Sequence, residues 1–378
     1  MKVALVYDRV NKWGGAERVL LALHEIFPDA PLYTSVYNPR SAPWADVFPK
    51  IYTSFLQGHT LRSWRVHHEW LALLMPIAFE QFDFDRYDLV ISVTSEAAKG
   101  IITKPGTKHI CYCLTPTRYL WSGYEIYFGN KWIKWITQPL VNYLKNWDKT
   151  AAQRPDVMVG ISKTVRNRIS KYYGRDSAVI YPPVELVRTR GPAPGFPPRT
   201  PTRGPLLGGP PTRVTPRTVY FLLVSRLVSY KKIDLAIEAF NELDIPLLIV
   251  GTGSAEESLF NMARPNIHFL GQLTDAELAS YYENAQALIF PQEEDFGIVA
   301  VEAQKFGCPV IAYHAGGALE IVRLGRTGEF FLSQTPEALI SAITNFDRSR
   351  YDPKVIKNNA KRFSKEKFKK KFIALLKI

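Results

Sequence analysis

The stretch Ala287-Leu288-Ile289-Phe290-Pro291-Gln292-Glu293-Glu294-Asp295-Phe296-Gly297-Ile298-Val299-Ala300-Val301-Glu302 decides the fold class. Its first four residues form an apolar run that a proline closes, as in a buried parallel strand ending in a loop. Ile298, Val301 and Ala303 to Phe306 then read as a helix packing on that strand, with Gly307 suited to its C-terminal stop. Glu294 falls in the loop and Glu302 inside the helix. A strand, a loop and a helix start aim main-chain N–H groups and a partial positive charge at the space beyond the strand end. Phosphate suits that space. A carboxylate on each side of it has the reach to accept hydrogen bonds from sugar hydroxyls, so the implied ligand is sugar, phosphate, sugar. Spacing alone does not separate this from a solvated loop acid and a helix-surface glutamate.

The same rhythm recurs on both sides. Met1 to Asp8 is too short and too quickly charged for a signal peptide and reads as a first strand. Trp13-Gly14-Gly15 leads into a helix with Val19, Leu20, Leu23, Ile26 and Phe27 at helical spacing. The glycine pair would let a ligand approach the backbone, although a strand-to-helix turn needs glycine for geometry alone. Tyr87 to Val93, Lys108 to Leu114 and Asp156 to Ser162 read as buried strands. Ser162 is placed to cap a basic helix through Tyr173, and a further strand runs from Ala178 to Tyr181. The second half has strands Val219 to Ser225, Leu247 to Val250, His268 to Leu270 and Pro309 to Tyr313. Its helices follow Ile233 and the capping box Thr274-x-x-Glu277. Alternating strands and helices predict α/β architecture with parallel sheets.

With 378 residues, the soft prior is two domains. Between the halves, residues 188–218 hold nine prolines and six arginines and no acid. Such a stretch buries no core and predicts a disordered or polyproline-like linker. The expected division is therefore an N-terminal domain over 1–185, a linker or insertion over 186–218, a C-terminal domain over 219–350, and a helical segment over 351–378. The net charge of +13 favours an anionic partner, but the six linker arginines supply nearly half of it, which weakens a nucleic-acid reading. The longest apolar run, Trp70 to Phe79, falls short of the roughly 20 residues of a membrane span, so the expected location is cytoplasmic. Tyr119 to Trp147, dense in aromatics and lysine, and the basic amphipathic tail Ser364 to Ile378 are expected to pack, the tail back at the domain junction; a bilayer surface is the alternative that their composition also suits.

Cys111 and Cys113 stand two apart on a strand and read as buried free thiols. The histidines offer no metal-ligand spacing, so no metal site and no cofactor are expected. Asp83-Phe84-Asp85 matches an Asp-x-Asp pattern but lies in a polar turn without supporting context. Neither glycine turn completes a dinucleotide fingerprint, which sets a dehydrogenase aside.

Arg226 follows the Val219 strand directly, and Lys231 comes five residues later. Placed at a strand end beside a diphosphate on the Phe296-Gly297-Ile298 helix start, a guanidinium and an ammonium would stabilise the charge on a departing nucleoside diphosphate. Together these features resemble the GT4 family of retaining glycosyltransferases. The features are the Glu294 to Glu302 spacing, Arg226 with Lys231, Gly14-Gly15, and Ala315-Gly316-Gly317-Ala318-Leu319-Glu320. Leu114 to Trp121, with Tyr172 to Val184, is similar to mannosyltransferase-type members of surface-polysaccharide pathways. The resemblance implies a GT-B fold of two Rossmann-like domains facing each other across a crevice, and a metal-independent hexosyl transfer. The donor expected first is GDP-mannose and the acceptor a lipid-linked or growing surface glycan; the basic and aromatic stretches add peripheral contact with anionic membrane, at the inner face of the plasma membrane, as an expected partner. The resemblance implies that Glu302 holds the ribose, Glu294 the donor sugar, and Arg226 and Lys231 the diphosphate, with Gly14 and Gly15 close to it. Phe296, Gly297 and Ile298 complete the donor side; Thr115, Arg118 and Tyr119 are acceptor-side candidates. The chain departs from the family pattern at Leu114, where many relatives carry histidine, and in its long linker. These departures support the alternative of a non-catalytic protein of the same fold that binds anionic membrane or nucleic acid.

Overall fold

The computed structural model describes residues 1–58, 72–124, 131–185 and 219–376. The predicted linker thus lies outside the described residues, as do residues 59–71, among them Trp70 and Leu71 at the start of the Trp70 run. The chain divides into two units, Met1–Pro183 with the segment from Lys365 onward, and Val184–Ser364.

The first unit is built on seven parallel strands in the order β3-β2-β1-β4-β5-β6-β7. They are β1 Val3–Tyr7, β2 Leu32–Thr34, β3 Ile51–Thr53, β4 Leu89–Thr94, β5 Lys108–Cys113, β6 Val157–Gly160 and β7 Ala178–Val179. All of β1 and β4 is buried, as expected of a sheet covered on both faces. Tyr7 pairs with Val93 and Thr94 with Cys113, which aligns the carboxyl ends of β1, β4 and β5. The helix Gly15–His24 buries Val19, Leu20 and Leu23. Ser162 caps the helix Lys163–Tyr173 by accepting the Val165 N–H at 3.0 Å, and Gly174 ends it in the left-handed conformation. The cysteines are free and buried, and burial pushes the Cys111 thiol up to about 11. Asp83 closes its turn by accepting the Asp85 N–H at 2.8 Å.

After the second unit the chain returns to the first as the helix Lys365–Leu376. Its apolar side is committed to packing: Phe368 and Phe372 are buried, and Phe368 meets Tyr112 edge-on with centroids 5.8 Å apart. Its basic side is partly used as well. Lys365 pairs with Glu25 at 3.0 Å and Lys369 pairs with the other oxygen of the same carboxylate. Although burial alone would raise the Glu25 carboxyl, the two ammonium groups bring it below its ordinary value.

The second unit has six parallel strands in the order β10-β9-β8-β11-β12-β13. They are β8 Phe221–Val224, β9 Leu247–Val250, β10 Ile267–Gly271, β11 Leu288–Phe290, β12 Val310–Tyr313 and β13 Gly328–Phe331. Leu223, Ile249, Ile289 and Ile311 from four neighbouring strands join Ile237 and Phe240 of the helix Ile233–Leu243 in one core. The capping box is formed in both directions, with the Glu277 carboxylate accepting the Thr274 N–H at 2.8 Å and the Thr274 hydroxyl accepting the Glu277 N–H at 3.3 Å. The helix Pro353–Ala360 stays with this unit.

Both sheets have a switch point where strand order reverses, β1/β4 in the first and β8/β11 in the second. In open α/β sheets, ligands bind beyond the carboxyl ends of the strands at such points.

Candidate active site

At the second switch point, β11 ends at Phe290 and the loop Pro291–Gly297 leads into the helix Ile298–Lys305. Gly297 begins that helix at a φ of 99°, and a Cβ there would lie 3.0 Å from the Phe290 ring. Glycine is the residue that makes this turn without strain. The Phe296 ring is buried and packs against Phe363 at 5.4 Å, so only its main chain is available to a ligand.

The two carboxylates are neither a solvated loop acid nor a helix-surface glutamate. Glu302 is 4% exposed, and the buried Tyr282 hydroxyl donates to its Oε2 at 3.4 Å. The Glu294 side chain is 20% exposed and forms an ion pair with the Lys231 ammonium. Its Oε1 also accepts the Gln292 amide at 2.9 Å.

Lys231 reaches Glu294 from the short 3-10 turn Ser229–Lys231 after β8. The next residue, Lys232, takes a left-handed φ of 55°, a conformation that costs a non-glycine residue about 1–2 kcal/mol. Arg226 is exposed, and its guanidinium donates to the Tyr230 hydroxyl. Tyr230 stands between the two cations, its ring centroid 6.0 Å from the Arg226 guanidinium carbon and 5.3 Å from the Lys231 ammonium. Sequence reading passed over Tyr230 and Gln292; the signal for both was their position between residues already singled out.

The glycine pair 316–317 serves this loop. The Gly317 N–H donates to the Glu294 carbonyl at 2.8 Å, and a Cβ on Gly317 would lie 2.0 Å from the Phe296 oxygen. No larger residue lets the two loops approach so closely. The structure therefore brings Glu294 and Lys231 together, joins Arg226 to them through Tyr230, and places Glu302 in the helix that follows.

The remaining candidates lie in the first unit. Gly15 opens the helix after β1, and Gly14 precedes it with extended backbone that any residue adopts. Space is what limits Gly14, because a Cβ would meet the Glu17 carboxylate at 3.1 Å. Glu17 is buried and accepts the Tyr7 hydroxyl at 2.7 Å; burial raises its carboxyl despite that bond. Thr115 is buried beyond β5, while Arg118 and Tyr119 are half-buried.

The first switch point holds its own anion. The buried Asp8 carboxylate accepts N–H groups from Ser95 at 2.7 Å, Glu96 at 3.1 Å, Ala97 at 3.0 Å and Ala98 at 2.9 Å, and the Thr94 hydroxyl at 2.9 Å. These amides form the concave donor cluster that suits a phosphate, and Asp8 occupies it. The two switch points therefore differ in chemistry: the first is closed on its own carboxylate, and the second gathers two cations and the Glu294 carboxylate, with Glu302 in the helix that follows.

Among the described residues no group of histidine, cysteine, aspartate and glutamate is arranged to hold a metal ion, and no helix is long and apolar enough to cross a membrane.

One family model, glycosyl transferases group 1, matches residues 212–363. An uncharacterized glycosyltransferase of Methanocaldococcus jannaschii is 31% identical over 150 residues, 38% of this chain and 43% of the relative. A GDP-mannose-dependent alpha-(1-6)-phosphatidylinositol monomannoside mannosyltransferase of Mycolicibacterium smegmatis is 30% identical over 211 residues, 50% of this chain and 52% of the relative. The chain spans less than half the length of the first curated relatives it matches. Among solved structures, that of Anabaena Alr3699/HepE in complex with UDP superposes with a TM-score of 0.69 at 17% identity, covering all of both chains. By sequence, then, residues 212–363 are similar to the glycosyl transferases group 1, and by structure the chain has the GT-B fold of two Rossmann-like domains.

Proposed function

We propose that the chain is a retaining hexosyltransferase of the GT4 type, which takes a sugar from a nucleotide-sugar donor held on the second unit. In this reading mannose from GDP-mannose is transferred to a lipid-linked or growing surface glycan, whose hydroxyl is taken by the Thr115, Arg118 and Tyr119 side of the first unit. The observation that carries it is the meeting of Glu294 with Lys231 at the β8/β11 switch point, with Arg226 attached through Tyr230. That edge has positive charge for a diphosphate and carboxylates for sugar hydroxyls.

The Glu302 carboxylate accepts the ribose hydroxyls and Glu294 those of the transferred sugar. The helix start at Gly297 and Ile298 faces the diphosphate with main-chain N–H groups. In the transfer, the bond from the anomeric carbon to the phosphate oxygen breaks and its electron pair leaves with the diphosphate. Arg226 and Lys231 stabilise that charge. The acceptor oxygen bonds to the same face of the anomeric carbon and gives its proton to the departing phosphate oxygen. The GDP-mannose assignment rests on the resemblance around Leu114 to Trp121 and on the Mycolicibacterium relative.

Peripheral contact with an anionic membrane belongs to the same proposal. Its support is Trp135, 77% exposed on the lysine-rich helix Lys131–Ala151. A screen of nucleotide sugars read by mass spectrometry tests the reading, with release of a nucleoside diphosphate from one donor as the expected result. Absence of binding and turnover with every donor contradicts it.

A further inference from the structure

We infer that Gln292 determines sugar specificity: its side-chain carbonyl receives a hydroxyl of the sugar being transferred. The inference rests on the donor site proposed above and names a residue to which no role was given.

Gln292 stands two residues beyond β11, at the switch point, and is 1% exposed. Its backbone is held in place, since the preceding Pro291 carbonyl accepts the Gln334 amide at 2.8 Å. The orientation of the Gln292 amide follows from its neighbour. Nε2 lies 2.9 Å from Glu294 Oε1, and a flipped amide would set oxygen against carboxylate oxygen. The amide nitrogen therefore faces Glu294, and Oε1 faces away from it. That Oε1 is buried and has no hydrogen-bond partner among the described residues.

Buried polar side-chain atoms are nearly always paired, so an orphaned acceptor calls for a partner. The partner must carry a hydrogen to donate, which excludes a fully ionised phosphate or carboxylate oxygen. A sugar hydroxyl donates and accepts at once. Glu294, assigned to the transferred sugar, is hydrogen-bonded to this same amide, so the orphaned oxygen belongs to the sugar end of the donor and not to its diphosphate. A site built to hydrogen-bond a hydroxyl also rejects analogues lacking it more strongly than an apolar pocket does.

The test is calorimetric titration of GDP, UDP, GDP-mannose and UDP-glucose into the full chain and into Gln292→Met and Gln292→Glu. Methionine keeps the volume and removes both hydrogen bonds. The inference predicts that the variants bind the nucleoside diphosphate within about twofold of the parent, while the Met variant binds the matching nucleotide sugar about tenfold more weakly. Glutamate, placing a second carboxylate against Glu294, weakens the sugar form further. Equal losses for diphosphate and nucleotide sugar, or no loss for either, overturn the inference; so does parental affinity for the nucleotide sugar in Gln292→Lys, which keeps a donor toward Glu294 and lacks the acceptor oxygen. If the Met variant does not fold, Gln292→Lys decides by the same comparison. Failure of all four ligands to bind the parent chain overturns the donor-site reading itself, and the inference with it.

Discussion

The Lys231 ammonium and the Glu294 carboxylate, 63 positions apart in sequence, form an ion pair between the loops that follow β8 and β11. Both side chains are mostly shielded, 12% and 20% exposed. Shielding raises both the attraction within such a pair and the cost of desolvating it, and loss of either partner leaves the other charge in a poorly solvated place. A double-mutant cycle with Lys231→Met and Glu294→Gln, read by urea unfolding, is expected to give a coupling of about 1–2 kcal/mol. A coupling near zero would mean that the pair does not hold the two loops together.

Arg226 and Glu302 have separate roles in the proposed reaction. Glu302→Ala removes a buried acceptor for the ribose and is expected to raise the donor KM about tenfold or more. Arg226→Ala removes charge that matters most as the diphosphate departs, so kcat should fall on the order of a hundredfold with a smaller change in KM. Steady-state kinetics of donor hydrolysis check both, and unchanged constants in both variants would refute the assignment.

Gly317 adopts an ordinary helical backbone, so only space prevents a side chain there. With the Phe296 oxygen 2.0 Å from the position of a Cβ, Gly317→Ala must move the loop that carries Glu294. The expected cost is about 1–3 kcal/mol in unfolding free energy, accompanied by loss of donor binding. An alanine variant of parental stability and affinity would contradict this packing.

His109 is fully buried on β5, with its Nε2 2.8 Å from the Ser92 hydroxyl, and burial holds its imidazole down to about 3. The unfolded chain takes up this proton near the ordinary value of 6.5. Between those values the unfolded state binds more protons than the folded one, so stability is complete above about pH 6.5 and falls as pH drops toward 3. The contribution is on the order of 4–5 kcal/mol. In His109→Asn this part of the slope should vanish, as measured by denaturant unfolding from pH 7 to 4. An identical pH dependence in the variant would refute it.

How far the sequence could be read depended on whether the signal was local. The strand at Leu288–Phe290 was legible because Pro291 closes an apolar run, and the helix after it because Gly307 stops it. The N-cap at Ser162 and the capping box at Thr274 each reach only three positions along the chain and are formed as the sequence predicts. By contrast β2 and β3 have three residues each, too few for a period to show, and β13 carries the polar Glu329 along its length. Asp8 read only as the end of the first strand, since its amide partners stand 87 to 90 positions away. The tail helix showed its apolar side plainly, whereas its partners Tyr112 and Glu25 belong to distant segments. Glu294 and Glu302 were found by spacing, but their burial, Lys231 and the Gln292 amide became visible only once the two loops were brought together.

The proposed nucleotide-sugar site at the second unit's switch point is tested most directly by incubating the full chain and Glu302→Ala with a panel of nucleotide sugars and detecting released nucleoside diphosphate by mass spectrometry. Turnover of one donor, GDP-mannose first, is expected of the parent chain, with its loss or strong reduction in the variant. No turnover of any donor by the parent, or turnover that Glu302→Ala leaves unchanged, would contradict the proposed site.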